Sequence, residues 1–275
     1  MSPNLSPGNP IAPLSIGNVV SAGVRLYSSN LKIYLQLALV AQLWILVPIY
    51  GWAKYAAIGG LISRLAFREL INQPESVETA RSRTNPRLWS FLRVAFQVFF
   101  SLALIYIGLA ILGGILAGIV GGILGTILGN SVIGIVLFTT LTVGIVLVGL
   151  TWYYSRWVVA EVPLAVEENI NGSESIARSW ELTKTSVLRI QGIVLVAFAV
   201  TIPILLLFNY LPQILLLSIK QSSTIYSIVH LISWLTRLVG GLFVMPFWQA
   251  IKAVLYYDLR SRREGLGLQL GGRNI

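Results

Sequence analysis

The stretch from residue 94 to residue 155 decides the fold, because it carries no charged side chain: VAFQVFFSLALIYIGLAILGGILAGIVGGILGTILGNSVIGIVLFTTLTVGIVLVGLTWYYS. A helix that crosses the hydrocarbon of a membrane needs roughly 20 apolar residues. The stretch is rich in Leu, Ile and Val and lacks the alternation of a strand, so helices are favoured over a membrane barrel. It is long enough for two long helices with a glycine-rich connection, or for three short ones.

The composition of the whole chain also indicates a membrane protein. Of its 275 residues, 56% are hydrophobic and 11% are charged, and the mean hydropathy is +0.79. Soluble domains carry about a quarter charged residues, so this apolar surface exceeds what one water-facing core could bury. The chain has no cysteine, which excludes disulfides, thiolate metal sites and thiol nucleophiles.

Further apolar runs bring the expected number of spans to six. We predict an all-α bundle of three helical hairpins with spans near 31–49, 52–70, 90–112, 131–155, 190–208 and 238–257. These spans form one domain, which lies between a flexible N-terminal tail and a C-terminal tail. The predicted boundaries are 1–15 for the first tail, 16–268 for the domain and 269–275 for the second tail.

The positions of the charged residues favour an even number of spans between basic clusters. All but three of the 20 lysines and arginines lie in the clusters 25–32, 64–93, 156–189 and 252–273, and the ten acidic residues lie in the last three. Even numbers put every cluster on one side, which the positive-inside rule makes cytoplasmic. We therefore expect amphipathic linker helices and both termini on the cytoplasmic face of a bacterial cytoplasmic-type membrane, either plasma membrane or thylakoid.

Two connections on the opposite side have an unusual composition. Residues 113–130 contain glycines four apart, a spacing that allows helices to approach closely in lipid. Tight packing, a hairpin that dips into the membrane and a pore lining remain open there. Residues 209–236 mix apolar and polar side chains, as expected of a segment that lies along the membrane interface.

A weak internal repeat follows the second and fourth predicted spans. Residues 69–82 read ELINQPESVETARS, and residues 168–179 read ENINGSESIARS. Each copy has the spacing of a capping box, so each is predicted to begin a short helix, with Asn72 and Glu75 or with Asn171 and Glu174. Such repeats occur in transporters and in helical scaffolds alike, so this one indicates architecture and not activity.

Two stretches carry a family resemblance. Residues 173–183 read SESIARSWELT, and residues 255–265 read LYYDLRSRREG. Together with Pro246, they resemble the membrane domain of the bacterial glycerophosphodiester phosphodiesterase family over roughly 16–268. In that family the membrane domain can precede a soluble barrel that performs the hydrolysis, and many relatives consist of the membrane part alone. The barrel's signature residues have no counterpart here, so the resemblance implies a membrane part without that activity.

The polar residues offer lipid contacts and no catalytic constellation. The one carboxylate within the predicted bounds of a span is Glu69, at the cytoplasmic edge of 52–70, and no nucleophile has a plausible base, so we expect no catalytic, cofactor or metal site. Arg237 is a candidate intramembrane polar site if a span begins near Tyr226. We favour a span from Leu238, in which case Arg237 reaches the outer headgroups. The basic clusters favour anionic headgroups over nucleic acid, with these candidate contacts: Arg81, Arg83, Arg87, Arg260, Arg262 and Arg263.

The function that these features favour is a non-catalytic membrane scaffold or accessory subunit. Its expected partners are membrane lipids, and a membrane-protein complex or a second copy of the chain. A small-molecule or lipid transporter is the alternative. It would need a polar path through the bundle, for which the sequence offers Gln36, Gln42, Gln97 and Arg237. An intramembrane lipid enzyme is the least favoured class.

Overall fold

The computed structural model describes residues 14–127, 131–219, 221 and 223–265, and all regular structure in these residues is helical. Except for Leu14 and Ser15, the predicted tails lie outside them. A 3₁₀ turn (Asn85–Arg87) leads into the fifth helix, and a π-helical turn (Leu206–Tyr210) joins the ninth helix to the tenth. The helices are α1 (Ile16–Ser29), α2 (Leu31–Trp44), α3 (Tyr50–Leu70), α4 (Val77–Thr84), α5 (Leu88–Ile127), α6 (Ser131–Trp157), α7 (Glu161–Val166), α8 (Gly172–Thr183), α9 (Val187–Leu205), α10 (Leu211–Leu217) and α11 (Thr224–Glu264).

Four helical stretches are long and apolar enough to cross a membrane: Val77–Ile127, Gly134–Val166, Val187–Leu217 and Thr224–Glu264. The all-helical class expected of an integral membrane protein is thereby confirmed. The first predicted pair of spans is not among the four. Its helix α2 has 14 residues, which corresponds to about 21 Å, short of the roughly 30 Å of hydrocarbon. The count of six spans is therefore not confirmed.

The last helix begins well before the predicted start of the last span. Ser223 accepts a hydrogen bond from the backbone N–H of Tyr226 at 3.1 Å, and this cap starts α11 at Thr224. The expected interfacial segment 209–236 thus consists mainly of α10 and the first turns of α11. The scattered polar residues of this segment led to the prediction of an interfacial segment, but they lie along helices that are mostly apolar.

The buried core lies at the basic end of the long helices. It combines α1, α2, α3 and α7 with the first turns of α5 and α9 and the second half of α11. Tyr34, Ile62, Phe91 and Tyr256 are among its largest buried side chains. In the parts of α5, α6, α9 and α11 that are distant from the basic end, most large apolar side chains are exposed. Exposed apolar surface of this extent suits lipid.

Glycines bring α5 and α6 into backbone contact along an antiparallel pair. A Cβ atom on Gly134 would lie 2.6 Å from the carbonyl oxygen of Gly121, and one on Gly121 would lie 2.8 Å from that of Gly134. By contrast, a Cβ on Gly114 or Gly122 would meet nothing within 4 Å. Gly121 and Gly134 thus pack the helix pair, as the tight-packing interpretation expects. The connection at 128–130 lies outside the described residues.

The two copies of the repeat begin their helices differently. Asn171 and Glu174 form the predicted capping box, with bonds of 3.0 Å and 2.8 Å between each side chain and the other's backbone N–H. The prediction for Asn72 and Glu75 is wrong. Asn72 has φ of 55°, and α4 is capped by Ser76, which accepts from the N–H of Thr79 at 3.1 Å.

Candidate anion-binding pocket

Most of the arginines predicted to contact lipid are bound by groups of the protein itself. Arg83 pairs with Glu168 at 3.1 Å, and Arg87 donates to the carbonyl oxygen of Leu164 at 2.8 Å. Arg81 is exposed on α4, and within the described part of the chain it has no hydrogen bond or ion pair. The guanidinium groups around the linkers therefore make contacts within the fold, and these contacts limit their availability to a ligand.

A buried arginine fastens the first linker to the core. Arg64 is 4% exposed, and its Nε donates to Oε1 of Glu75 at 2.5 Å. Its Nη1 donates to the carbonyl oxygen of Ala165 at 2.9 Å, which joins α3 to α7. Glu75 is thereby drawn into the core, and this explains why it does not form the predicted capping box.

A second network joins α8 to the end of α11. The hydroxyl of Tyr256 donates to Glu167 at 2.5 Å, and Arg178 bridges Glu167 and Glu264. Burial lowers the pKa of Arg178, but these two carboxylates outweigh burial, so its pKa is raised and the guanidinium stays charged. Glu264 also accepts from Arg260 at 2.9 Å, so Arg260 serves this network. Arg263 similarly pairs with Glu181 of α8 at 3.3 Å.

A buried aspartate positions two further arginines. Asp258 is 2% exposed and accepts from Arg189 at 2.7 Å and from Arg262 at 3.0 Å. Both arginines also donate to the carbonyl oxygen of Leu14, at 2.6 Å and 3.0 Å. This fork ties α9, α11 and the segment before α1 together, and it fixes the direction of both guanidinium groups.

The two positioned arginines line a cavity of about 600 Å³ at the basic end of the molecule, where α6 ends and α9 begins. Of the described side chains that line it, four are cationic and none is acidic: Arg156, Lys184, Arg189 and Arg262. Trp152 also lines the cavity, as does Leu188, whose side chain is 83% exposed. The cavity thus combines concentrated positive charge with an apolar, open edge.

Arg156 supplies a hydrogen-bond donor that no described residue accepts. The residue is 3% exposed, and its guanidinium carbon lies 4.1 Å from the ring centroid of Trp180 and 5.8 Å from that of Trp152. Its Nε is buried, and no described protein atom accepts a hydrogen bond from it. Leaving a buried donor unpaired costs about 1–3 kcal/mol, and more for a charged group. An anion within hydrogen-bond distance of this Nε would remove that cost.

The first turn of α9 adds backbone donors to the same cavity. Ser186 is the N-cap residue, but its side chain makes no capping hydrogen bond. The first N–H groups of a helix have no partner within the helix, and the positive end of the helix dipole coincides with them. Val187, Leu188 and Arg189 form this turn and line the cavity. Cations and helix N–H groups together are the usual setting for a phosphate or carboxylate.

Arg237 lies away from this pocket. It belongs to the interior of α11, as the alternative with an early span requires, yet its side chain is exposed and not enclosed by other helices. The described residues give it no ion pair or hydrogen bond. Its assignment as an intramembrane polar site stays a prediction.

The polar residues suggested for a transport path do not come together in one cavity. Gln36 and Gln97 are exposed, whereas Gln42 is buried where Gly241 of α11 leaves room for its amide. Sequence reasoning missed a buried pair between α3 and α11, in which Ser63 donates to Oε1 of Gln249 at 2.6 Å. A second cavity, of about 360 Å³, lies between α5 and α6 and is lined mainly by glycine and apolar side chains.

Of the four cationic pocket residues, sequence reasoning singled out Arg262 alone. The available signal was Trp152 four residues before Arg156, which puts both on one face of a helix.

Comparison with protein-family models gives no match, and no curated protein or solved structure matches the chain either. The resemblance to the glycerophosphodiester phosphodiesterase membrane domain therefore stays a prediction.

Proposed function

We propose that the protein is a non-catalytic integral membrane scaffold or accessory subunit that binds an anionic lipid headgroup at its basic end. The observation that carries this proposal is the pocket with four cationic side chains, in which the buried Nε of Arg156 has no acceptor among the described residues. Charge-assisted hydrogen bonds to a phosphate are among the strongest that a side chain makes.

The surroundings of the pocket support a lipid over a soluble anion. The pocket opens where the apolar helices α6 and α9 meet the basic rim, so a headgroup bound there would keep its acyl chains beside exposed apolar side chains. Trp152 and Leu188 flank the opening, and tryptophan is enriched at the headgroup level of membranes.

The proposal also includes a membrane and an orientation. The basic clusters on one side suit the cytoplasmic face of a bacterial cytoplasmic-type membrane, plasma or thylakoid, with both termini inside. A membrane-protein complex or a second copy of the chain would be the partner that the scaffold binds. The face of α5 at Gly114 and Gly122, where an added Cβ would meet nothing within 4 Å, suits such close helix contact.

Native mass spectrometry of the detergent-purified protein tests the headgroup site. We expect one phosphatidylglycerol to remain bound under conditions that remove phosphatidylcholine. Arg156→Gln should lower the affinity for phosphatidylglycerol about tenfold to a hundredfold, because a hydrogen bond to a charged group contributes about 1.5–3 kcal/mol. Lys184→Gln tests the same pocket at an exposed side chain that packing does not require.

The matched control is Arg25→Gln, which removes the same charge from an exposed position on α1. It should retain the lipid as the unmodified protein does. Equal retention of the two lipids by the unmodified protein would contradict the proposal. Equal behaviour of the Arg156 and Arg25 variants would contradict it as well, because the lipid would then respond to net charge alone.

Transport of a small molecule or lipid is a second candidate, which the buried Ser63–Gln249 pair supports. The π-helical turn Leu206–Tyr210, which follows Pro203 in α9, also suits a helix that bends. Flux of a labelled lipid between leaflets of proteoliposomes, compared with protein-free liposomes, tests this alternative. Flux that Gln249→Leu abolishes would support transport, and equal flux with and without the protein would contradict it.

A further inference from the structure

The turn between α2 and α3 presents an exposed apolar surface. The chain reverses at residues 45–49, and Gly51 lies so close to the carbonyl of Trp44 that no side chain fits there. The turn and its flanks, hereafter the hairpin tip, comprise residues 43–52. Within it, six large side chains are exposed: Leu43, Leu46, Val47, Ile49, Tyr50 and Trp52. An apolar surface of this kind needs a partner, and its position in the molecule identifies one.

Aromatic contacts place the hairpin tip beside the basic end of α5. The ring of Tyr50 lies 6.5 Å from that of Trp89, and the ring of Trp52 lies 6.2 Å from that of Phe96. These two partners flank Arg93, the last charged residue before the uncharged stretch 94–155. The hairpin tip therefore lies near the level at which α5 enters the hydrocarbon.

The length of α5 beyond this level excludes a hairpin tip on the far side of the membrane. From Phe96 the helix continues to Ile127, which is roughly 45 Å at about 1.5 Å per residue. The hydrocarbon is about 30 Å thick. If the hairpin tip had reached the far surface, the remaining apolar part of α5 would project into water.

Helix α11 leads to the same conclusion from the other side of the hairpin. Gln42, just before the hairpin tip, packs against Gly241. The part of α11 from Thr224 to that contact measures about 25 Å, nearly a full hydrocarbon thickness. Its large side chains, such as Ile225, Leu231 and Leu235, are exposed. The lipid-facing part of α11 thus lies beyond the hairpin tip, as it does for α5.

We propose that α2 and α3 form a shallow hairpin that enters only the leaflet on the basic side and does not cross the membrane. The partner of the hairpin tip is the headgroup boundary and the upper acyl chains of that leaflet. Its aromatic residues suit this depth. Lys54 suits it too, because its Nζ lies 5.6 Å from the ring centroid of Tyr50 and can reach the headgroups.

Single-cysteine variants test this depth directly, because the chain contains no cysteine. Val47→Cys reports on the hairpin tip, Arg81→Cys on the basic side and Ser218→Cys on the far end of α10; all three positions are exposed. Each variant is reconstituted in sealed vesicles, and a charged maleimide is added outside or inside. A bimane label on the same cysteines is quenched with phospholipids that carry a nitroxide near the headgroup or at the end of the acyl chain.

We expect bimane at position 47 to be quenched severalfold more by the shallow nitroxide than by the deep one. Any maleimide reaction should come from the side that labels position 81. Labelling of position 47 from the side that labels position 218 would overturn the proposal, because the hairpin would then cross. Stronger quenching by the deep nitroxide would overturn the proposal, because it would put the hairpin tip at mid-membrane. Rapid labelling without quenching would also overturn it, because it would put the hairpin tip in water. These readouts do not involve the headgroup pocket.

Discussion

Replacing Asp258 by Asn should destabilise the protein more than replacement of any carboxylate in a surface ion pair. The buried carboxylate accepts from Arg189 and Arg262, and both arginines hold the carbonyl of Leu14. The amide of Asn keeps the shape of the side chain but loses its negative charge. Two neighbouring guanidinium groups would then repel each other without a counter-ion, and the segment before α1 would lose its anchor.

The expected magnitude follows from the burial of the three side chains. Removal of one partner from a fully buried ion pair costs about 3–5 kcal/mol. Asp258 is buried, but its two arginines are partly exposed to solvent, which reduces the effect by screening. We therefore expect Asp258→Asn to lower the free energy of unfolding by about 2 kcal/mol, between the values for buried and for surface pairs.

Unfolding in mixed micelles, followed by circular dichroism as the denaturing detergent is increased, measures this free energy. The matched control is Glu168→Gln, which removes the same charge from the pair with Arg83. More than half of each side chain in that pair is exposed, so a loss of about 0–1 kcal/mol is expected. If the two variants unfold at the same detergent fraction, the fork at Asp258 does not stabilise the fold.

Three further substitutions test other contacts, each by the same unfolding measurement. Gly134→Ala should destabilise the pair of α5 and α6, because its Cβ would meet a carbonyl oxygen at 2.6 Å. Gly114→Ala is its control and should stabilise by about 0.5–1 kcal/mol, since nothing is near and alanine favours a helix; equal effects would refute the backbone contact. Ile49→Gly should stabilise by about 1 kcal/mol, because φ of 61° strains a branched side chain; a loss would mean that its apolar contacts outweigh the strain. Glu75→Gln should cost about 3 kcal/mol by leaving Arg64 buried without its counter-ion, and an unchanged stability would show that the pair is dispensable.

The parts of the fold that the sequence predicted are those that depend on local composition. The uncharged stretch 94–155 predicted long apolar helices, and α5 and α6 are such helices. The predicted connection at 113–130 is wrong, because residues 113–127 continue α5 and their glycines lie within that helix. The capping box of Asn171 was also predictable, because its two residues are three positions apart. Such features need no knowledge of distant neighbours, since periodicity and cap chemistry act within a few turns.

The pocket was beyond sequence reasoning because its cations are far apart in the chain. They come from four places in the chain: the end of α6 (Arg156), the end of α8 (Lys184), the start of α9 (Arg189) and the end of α11 (Arg262). Each is unremarkable as a basic residue near the end of an apolar helix, where the positive-inside rule expects it. Which arginines are available and which are already bound depends on the carboxylates that tertiary packing brings to them.

The failed capping box shows the same competition at one residue. Glu75 and Glu174 occupy equivalent places in the repeat, but only Glu75 has a buried arginine within reach. A cap contributes about 1 kcal/mol, whereas a hydrogen bond to a charged group contributes about 1.5–3 kcal/mol. The stronger bond takes the carboxylate, and Ser76 caps α4 in its place. A local pattern predicts structure only while no stronger partner is near.

The number of spans illustrates a different limit of the sequence. The positive-inside rule compares the sides on which basic clusters lie, so it distinguishes odd from even numbers of crossings. A hairpin that crosses twice and a hairpin that does not cross at all both leave the clusters at 25–32 and 64–93 on one side. Hydropathy alone favoured two crossings, because the apolar side chains with which α2 and α3 form the protein core resemble those of membrane spans in composition. What distinguishes the alternatives is the contact of Tyr50 and Trp52 with the basic end of α5, since the depth of a hairpin is a property of its neighbours and not of its own composition.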